Sequence, residues 1–149
     1  MCRHDSSIMK ILCSFKFELL ANDVQSGALS RNAGCRRFVF NKALELQNER
    51  KAKGLKPLSY CELASELVRW KKAEETAFLK EAMSQPLQQT LRNLDRAVRD
   101  SFRPKNDPAR KGWPKFKVRD IGDGFRIPQF KPGDIDDVNG RVKLPKIGW

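Results

Sequence analysis

The sequence holds a single histidine, His4, a single tyrosine, Tyr60, and four cysteines, at positions 2, 13, 35 and 61, with no Cys-x-x-Cys pair. Structural zinc sites draw on closely spaced Cys and His ligands, so that class is excluded. The cysteines read instead as free buried thiols of a reducing compartment, with Cys13 and Cys35 in apolar positions of a strand and a helix. No apolar run reaches the roughly 20 residues that a membrane-spanning helix needs. The patch ILCSFKFELL is broken by Lys16 and Glu18 and lacks a small-residue cleavage site, so it does not read as a leader, and the expected location is the cytoplasm. Also missing are the serine-hydrolase elbow, the zinc-protease helix, the phosphate loop and the glycine-rich dinucleotide turn. With His4 in an expected disordered extension, residues 1–10, no histidine is left as a base. Glu45 and Glu49 read as surface residues one helical turn apart.

What is abundant is positive charge. Thirty Lys and Arg against 18 Asp and Glu give a formal net charge of +12 and a pI near 9.9. Such an excess points to a polyanionic partner, and nucleic acid fits better than a membrane because acids are interspersed on the charged helices. The 149 residues suit one ordinary domain or two small interleaved modules.

Along the chain, Ile11, Cys13, Phe15, Phe17 and Leu19 alternate with polar residues, which predicts a half-buried first strand over 11–20. From Gln25 to Lys53 an apolar arc predicts a long helix, ended by Gly54 and Pro57. Ser59 and Glu62 form a capping box for a second helix, with Leu58 stapling on Leu63, and a break is expected near Ala82 and Met83. A third helix follows, with Ser84 expected as its cap, Pro86 in its first turn and Leu87, Leu91, Leu94, Val98 and Phe102 as its buried stripe. Short strands are predicted at FRIPQF and on either side of the hairpin signal Asn139-Gly140. The expected fold class is therefore α+β: an antiparallel, barrel-like β unit from 11–20 and 103–149, with a three-helix insert at 21–102.

The segment from Arg99 to Arg119 gathers Arg99, Arg103, Lys105, Arg110, Lys111, Lys115, Lys117 and Arg119 against two aspartates, interleaved with Phe102, Trp113 and Phe116. Cations suit phosphates and flat rings suit unpaired bases. The opposing view is a solvated loop that Trp113 and Phe116 merely anchor. Arg36 falls inside the apolar arc of the first helix, where it either snorkels or makes a buried or RNA-facing contact. The acidic stretch GDIDDVNG fails as a calcium loop: with Gly140 sixth, Ile135 would stand first and Lys146 twelfth. No metal or other cofactor is expected.

The runs SFKFELL, GCRRFVFNKALE, LSYCELASEL, WKKAEETAFLKE, LQQTLRNLDRAVRDSF, GWPKFK and RVKLPKIGW resemble, in order and spacing, the N-terminal half of the TnpB (OrfB) proteins of bacterial insertion sequences. The resemblance implies a relative of compact RNA-guided DNA nucleases, long described as transposases with a front helix-turn-helix, whose strands build a wedge-like barrel and whose inserted helices form a recognition lobe. It places GRVKLPKIGW just before the nuclease domain, so the chain is expected to lack the nuclease carboxylates, to bind and not to cut. By the same resemblance Tyr60, Ser84, Gln85, Gln88 and Arg92 become candidates for contact with target-flanking DNA, with Ser84 and Gln85 departing from the family's residue types. Guide RNA would lie on Arg36, Arg37, Arg99, Arg103, Lys105, Arg110, Lys111, Trp113, Lys115 and Lys117. Two other readings stay open: a helix-turn-helix accessory or repressor that binds DNA without RNA, and a non-functional remnant. The oligomeric state is not legible.

Overall fold

The computed structural model describes residues 13–119 and 124–149; the expected extension over 1–10, with His4 and Cys2, and the first residues of the expected strand lie outside them. Helix α1 spans Asp23–Ala52. It starts two residues before the expected Gln25 because Asn22 and Gln25 form a second capping box: the Asn22 side chain accepts from Gln25 N at 2.9 Å, and the Gln25 side chain accepts from Asn22 N at 3.1 Å. Two backbone donors that a helix start leaves orphaned are thereby satisfied. Gly54 reverses the chain after α1 with φ +65, a left-handed conformation that other residues adopt at a cost.

Helix α2, Tyr60–Lys72, begins as expected: Ser59 N and Oγ both donate to Glu62 Oε2 at 2.8 Å. It stops well before Ala82 and Met83, and a 3-10 helix, Glu74–Lys80, takes up the intervening chain. Helix α3 spans Ser84–Ser101. Ser84 is its first helical residue and not its cap; Met83 precedes it and supplies no side-chain cap, while the Met83 N–H is accepted by Asn32 Oδ1 of α1 at 2.8 Å. A residue from a neighbouring helix thus fixes the start of α3, which has no side-chain cap of its own. Pro86 sits in the first turn, where its missing N–H costs nothing.

The core forms between these helices from Val39, Ala43 and Leu44 of α1, Leu63 and Leu67 of α2, Leu79, and Leu87, Leu91, Leu94 and Val98 of α3. The α3 stripe is as expected except for Phe102, which is 61% exposed. Helices α1 and α3 pack side by side and run the same way: Asn32 meets the start of α3, and Lys51 lines one cavity with Ser101 at its end. Parallel neighbours need a connection running back along their full length, and α2 with the 3-10 helix provides it.

The β part departs most from expectation. Its one sheet among the described residues is a hairpin, β1 Ile135–Asp136 against β2 Arg141–Val142, paired antiparallel. Asn139-Gly140 does mark the reversal, but within a four-residue connection over 137–140 in which only Gly140 has positive φ. Residues 13–20 of the expected first strand form no regular element and have no ladder partner, and Phe15 and Phe17 are 80% and 85% exposed. Cys13, expected to be buried, is exposed with them. FRIPQF also forms no strand. The α+β description therefore holds only as helices with a small hairpin, and no barrel is present among the described residues. Period-two alternation records which side chains a strand would bury; the strand itself exists only where another edge takes up its N–H and C=O groups.

The connection between α1 and α2 is held by one fully buried polar side chain. Gln47 donates from Nε2 to Leu58 O at 2.8 Å and accepts from Leu58 N at 2.8 Å. Replacement by leucine leaves both backbone groups without partners, each a loss on the order of 1–3 kcal/mol when buried. Gln47→Leu is therefore expected to destabilise the fold by about 2 kcal/mol, measured as a lower urea midpoint at unchanged slope.

Candidate nucleic-acid interface

The chain leaving α3 turns back and crosses the exposed side of α1. Trp113 Nε1 donates to Asn48 Oδ1 at 2.7 Å. Further on, Asn41 closes a two-way clamp on one backbone unit, accepting from Lys117 N at 2.8 Å and donating to Lys117 O at 2.9 Å. Asn41 and Asn48 lie two helical turns apart and so share a face. The intervening chain is a strap tied to α1 at both ends. Trp113 is half-buried, with Lys51 Nζ 4.1 Å above its ring and Phe102 edge-on at 5.9 Å, so it anchors the strap. Phe116, at 55% exposure, is turned outward, and Lys117 Nζ reaches back over the Phe40 ring at 4.9 Å.

The structure sorts the expected cations into two groups. Arg99 pairs with Asp95 at 2.8 Å, and Arg103 lies between Asp100 at 2.8 Å and Asp107 at 3.1 Å. The Asp107 carboxyl is held below its ordinary range by the Ala109 N–H and by Arg103. Lys105, Arg110, Lys111 and Lys115 are exposed and have no carboxylate partner among the described residues. Helix ends account for some of the positive side chains here, since Arg50, Lys51 and Arg99 occupy last turns, where cations meet unpaired carbonyls. They do not account for Lys105, Arg110, Lys111 and Lys115, which lie beyond any helix.

A second grouping lies where α2 meets α3. The Arg92 guanidinium stacks 4.8 Å from the centre of the Tyr60 ring, and Gln88, one turn earlier on α3, is exposed. Ser84 Oγ accepts from Lys71 Nζ at 3.0 Å; burial, and then the charge of Lys146, push the Lys71 pKa down. Gln85 Oε1 accepts from Gln129 N at 3.2 Å, which ties α3 to the following loop. Arg36 and Arg37 are half-buried on α1: Arg36 lines a cleft with Gln89, Asn93 and Arg126, apart from both groupings, and Arg37 lines one with Asn41 and Phe116 at the far end of the strap. Thus Tyr60 joins Arg92, Arg110, Lys111 and Trp113 come together, and Arg37 lies beside Phe116, whereas Ser84, Gln85 and Arg36 have other neighbours. No cluster of three or more His, Cys, Asp or Glu that could hold a metal ion occurs among the described residues.

The helix-turn-helix domain of OrfB proteins matches residues 9–56. The InsQ protein of Escherichia coli K12, named as a candidate RNA-guided DNA endonuclease, is 46% identical over 141 residues, covering 95% of this chain and 33% of its own length. Over nearly its whole length the chain is similar to part of a TnpB/OrfB protein. A Streptomyces pristinaespiralis protein, also named as a candidate RNA-guided DNA endonuclease, is 40% identical over 106 residues, covering 71% of this chain and 25% of the relative. The chain thus spans a third or less of the length of these TnpB relatives and corresponds to their N-terminal part. Within the span matched as helix-turn-helix, the described residues hold one continuous helix, α1, so the first helical reversal comes only after it, at Gly54.

Asn48 and Lys51 carry roles that the sequence did not reveal. A helical Lys near a C-terminus is commonplace, and nothing local to Asn48 announces a partner 65 positions away. The available signal was two asparagines, Asn41 and Asn48, spaced to share one face of α1. Removing one clamp should free the strap without opening the core: Asn41→Ala is expected to speed tryptic cleavage after Lys115 and Lys117 by about ten-fold, as loss of roughly 1–2 kcal/mol of local protection would, while global melting shifts little. Peptide mapping of a timed digest reads the outcome.

Proposed function

We propose that these residues form a nucleic-acid-binding region of a TnpB-type protein, with RNA gripped by the strap over α1 and DNA met by the Tyr60–Arg92 corner and the exposed α3 face. The observation that carries this reading is the set of four exposed cations, Lys105, Arg110, Lys111 and Lys115, in the stretch of chain that leads to the outward Phe116, none of them paired with a carboxylate among the described residues. Such cations repel one another and are relieved by phosphates, whose condensed counterions are then released. The ties at Trp113 and Lys117 hold Lys115 in place, and the bond from Lys111 N to Asp100 O holds the chain before them, so this is a presented surface and not a loose tail. In this reading the described part positions nucleic acid and performs no cleavage, because two-metal phosphodiester chemistry needs gathered carboxylates. The division proposed is a helical recognition part over 21–102 and a basic, strand-poor part over 11–20 and 103–149. The relatives' printed names, which speak of RNA-guided DNA endonucleases, support nucleic acid as the partner.

A DNA-only reading draws on the matched helix-turn-helix domain. It differs in one respect that can be measured: binding to a specific DNA duplex would persist in RNA-free protein and would not require the strap.

The salt dependence of binding tests the main reading. Each phosphate contact contributes about −0.7 to the slope of log K against log salt on single strands and about −0.9 on duplex DNA. Arg110→Gln and Lys115→Gln are each expected to flatten the slope on single-stranded RNA by about 0.7, whereas Arg103→Gln, already occupied by two carboxylates, leaves it unchanged. Equal slopes for all three variants and the parent chain would remove the strap from the interface.

A further inference from the structure

At the shared end of α1 and α3 lies a cavity of about 480 Å³, walled by the cations Lys51, Arg110 and Lys111, the rings of Phe102 and Trp113, and Ser101. We propose that this cavity holds one unpaired nucleotide of a bound strand, its base against Phe102 and its phosphate among Lys51, Arg110 and Lys111. The inference rests on the nucleic-acid reading above and specifies what one part of that surface accepts.

The walls combine the two chemistries that a nucleotide presents. Its volume falls within the roughly 300–1,000 Å³ of small-molecule sites. No carboxylate lines it, so an anion meets attraction from three sides. Trp113 is already committed, with its N–H on Asn48, one face under Lys51 and its ring met by the edge of Phe102, and it serves as a fixed wall. Phe102 is not so covered: 61% of it faces water at the very point where α3 ends, although the stripe it continues is buried from Leu87 to Val98. A flat ring left in water beside unneutralised cations is the arrangement that unpaired bases use, because every base has a face to stack and a phosphate attached. Paired bases within a duplex keep their faces covered by their neighbours, so a duplex can reach the cations but not the ring.

The inference separates from the parent reading by which probe each variant affects. Binding of the full chain is measured by fluorescence anisotropy with a short oligouridine, the matching oligothymidine and a blunt RNA duplex of equal length. Phe102→Leu, which keeps apolar bulk and removes the ring, is expected to weaken single-strand binding by about ten-fold and to leave duplex binding unchanged. Phe102→Tyr restores the ring and is expected to restore single-strand affinity. Loss with oligouridine alone identifies an RNA nucleotide; loss with both single strands identifies an unpaired nucleotide of either sugar. Lys115→Gln, outside the cavity, should weaken all three probes together and so reports on the charge reading alone. If Phe102→Leu affects all probes equally or none, or if Phe102→Tyr fails to restore binding, the cavity has no such occupant while the parent reading stands. If no probe binds the parent chain, both readings fail.

Discussion

The parallel packing of α1 on α3 is the constraint from which the remaining features follow. Leu44 on one helix and Leu87, Leu91 and Leu94 on the other are fully buried, and truncating a single such leucine typically costs about 2–5 kcal/mol, a large part of a small domain's net stability. Running the same way, the two helices bring their C-terminal ends together, and the chain that leaves α3 emerges beside the last turns of α1. The strap, the Lys51–Trp113 stack and the cavity at their junction exist because of that alignment. An antiparallel pair would have placed the end of α3 beside Asn22 and sent the basic segment over a different surface.

Electrostatics then act on a scaffold already decided by packing. Where carboxylates are near, as at Asp95, Asp100 and Asp107, they neutralise arginines and shape the turn after α3. Exposed pairs of this kind contribute little stability, commonly about 0–1 kcal/mol, and their effect is to fix where the chain goes. Beyond Asp107 the exposed cations Arg110, Lys111 and Lys115 have no carboxylate partner among the described residues and add to the positive charge of the chain. Two asparagines hold this segment in place without adding charge, so Lys111 and Lys115 remain available to an outside partner.

Elements governed by local chemistry were legible in advance. The Ser59–Glu62 box, the Leu87-to-Val98 stripe and the glycine reversal at Gly54 each depend on neighbours within a few residues, and each stands where its pattern placed it. The Asn22–Gln25 box is equally local, an exchange between residues three apart. The failures share another cause. The alternation of Ile11 to Leu19 specified a strand face but could not supply its partner edge. Ser84 was read as a cap when Asn32, from a different helix, receives the Met83 N–H. Trp113 was read as either anchor or binding ring, and only its contacts with Asn48 and Lys51 made it an anchor.

By itself the sequence determined the three long helices, the excess of positive charge and the family resemblance, because periodicity, composition and motif order are properties of neighbouring residues. The tertiary structure decided which cations are neutralised, which ring faces solvent, and that the basic chain is tied across α1, because each of these depends on pairs such as Asn41 with Lys117 that are 76 positions apart. Contacts over such distances are set by how helices pack, and packing is a property of the folded whole.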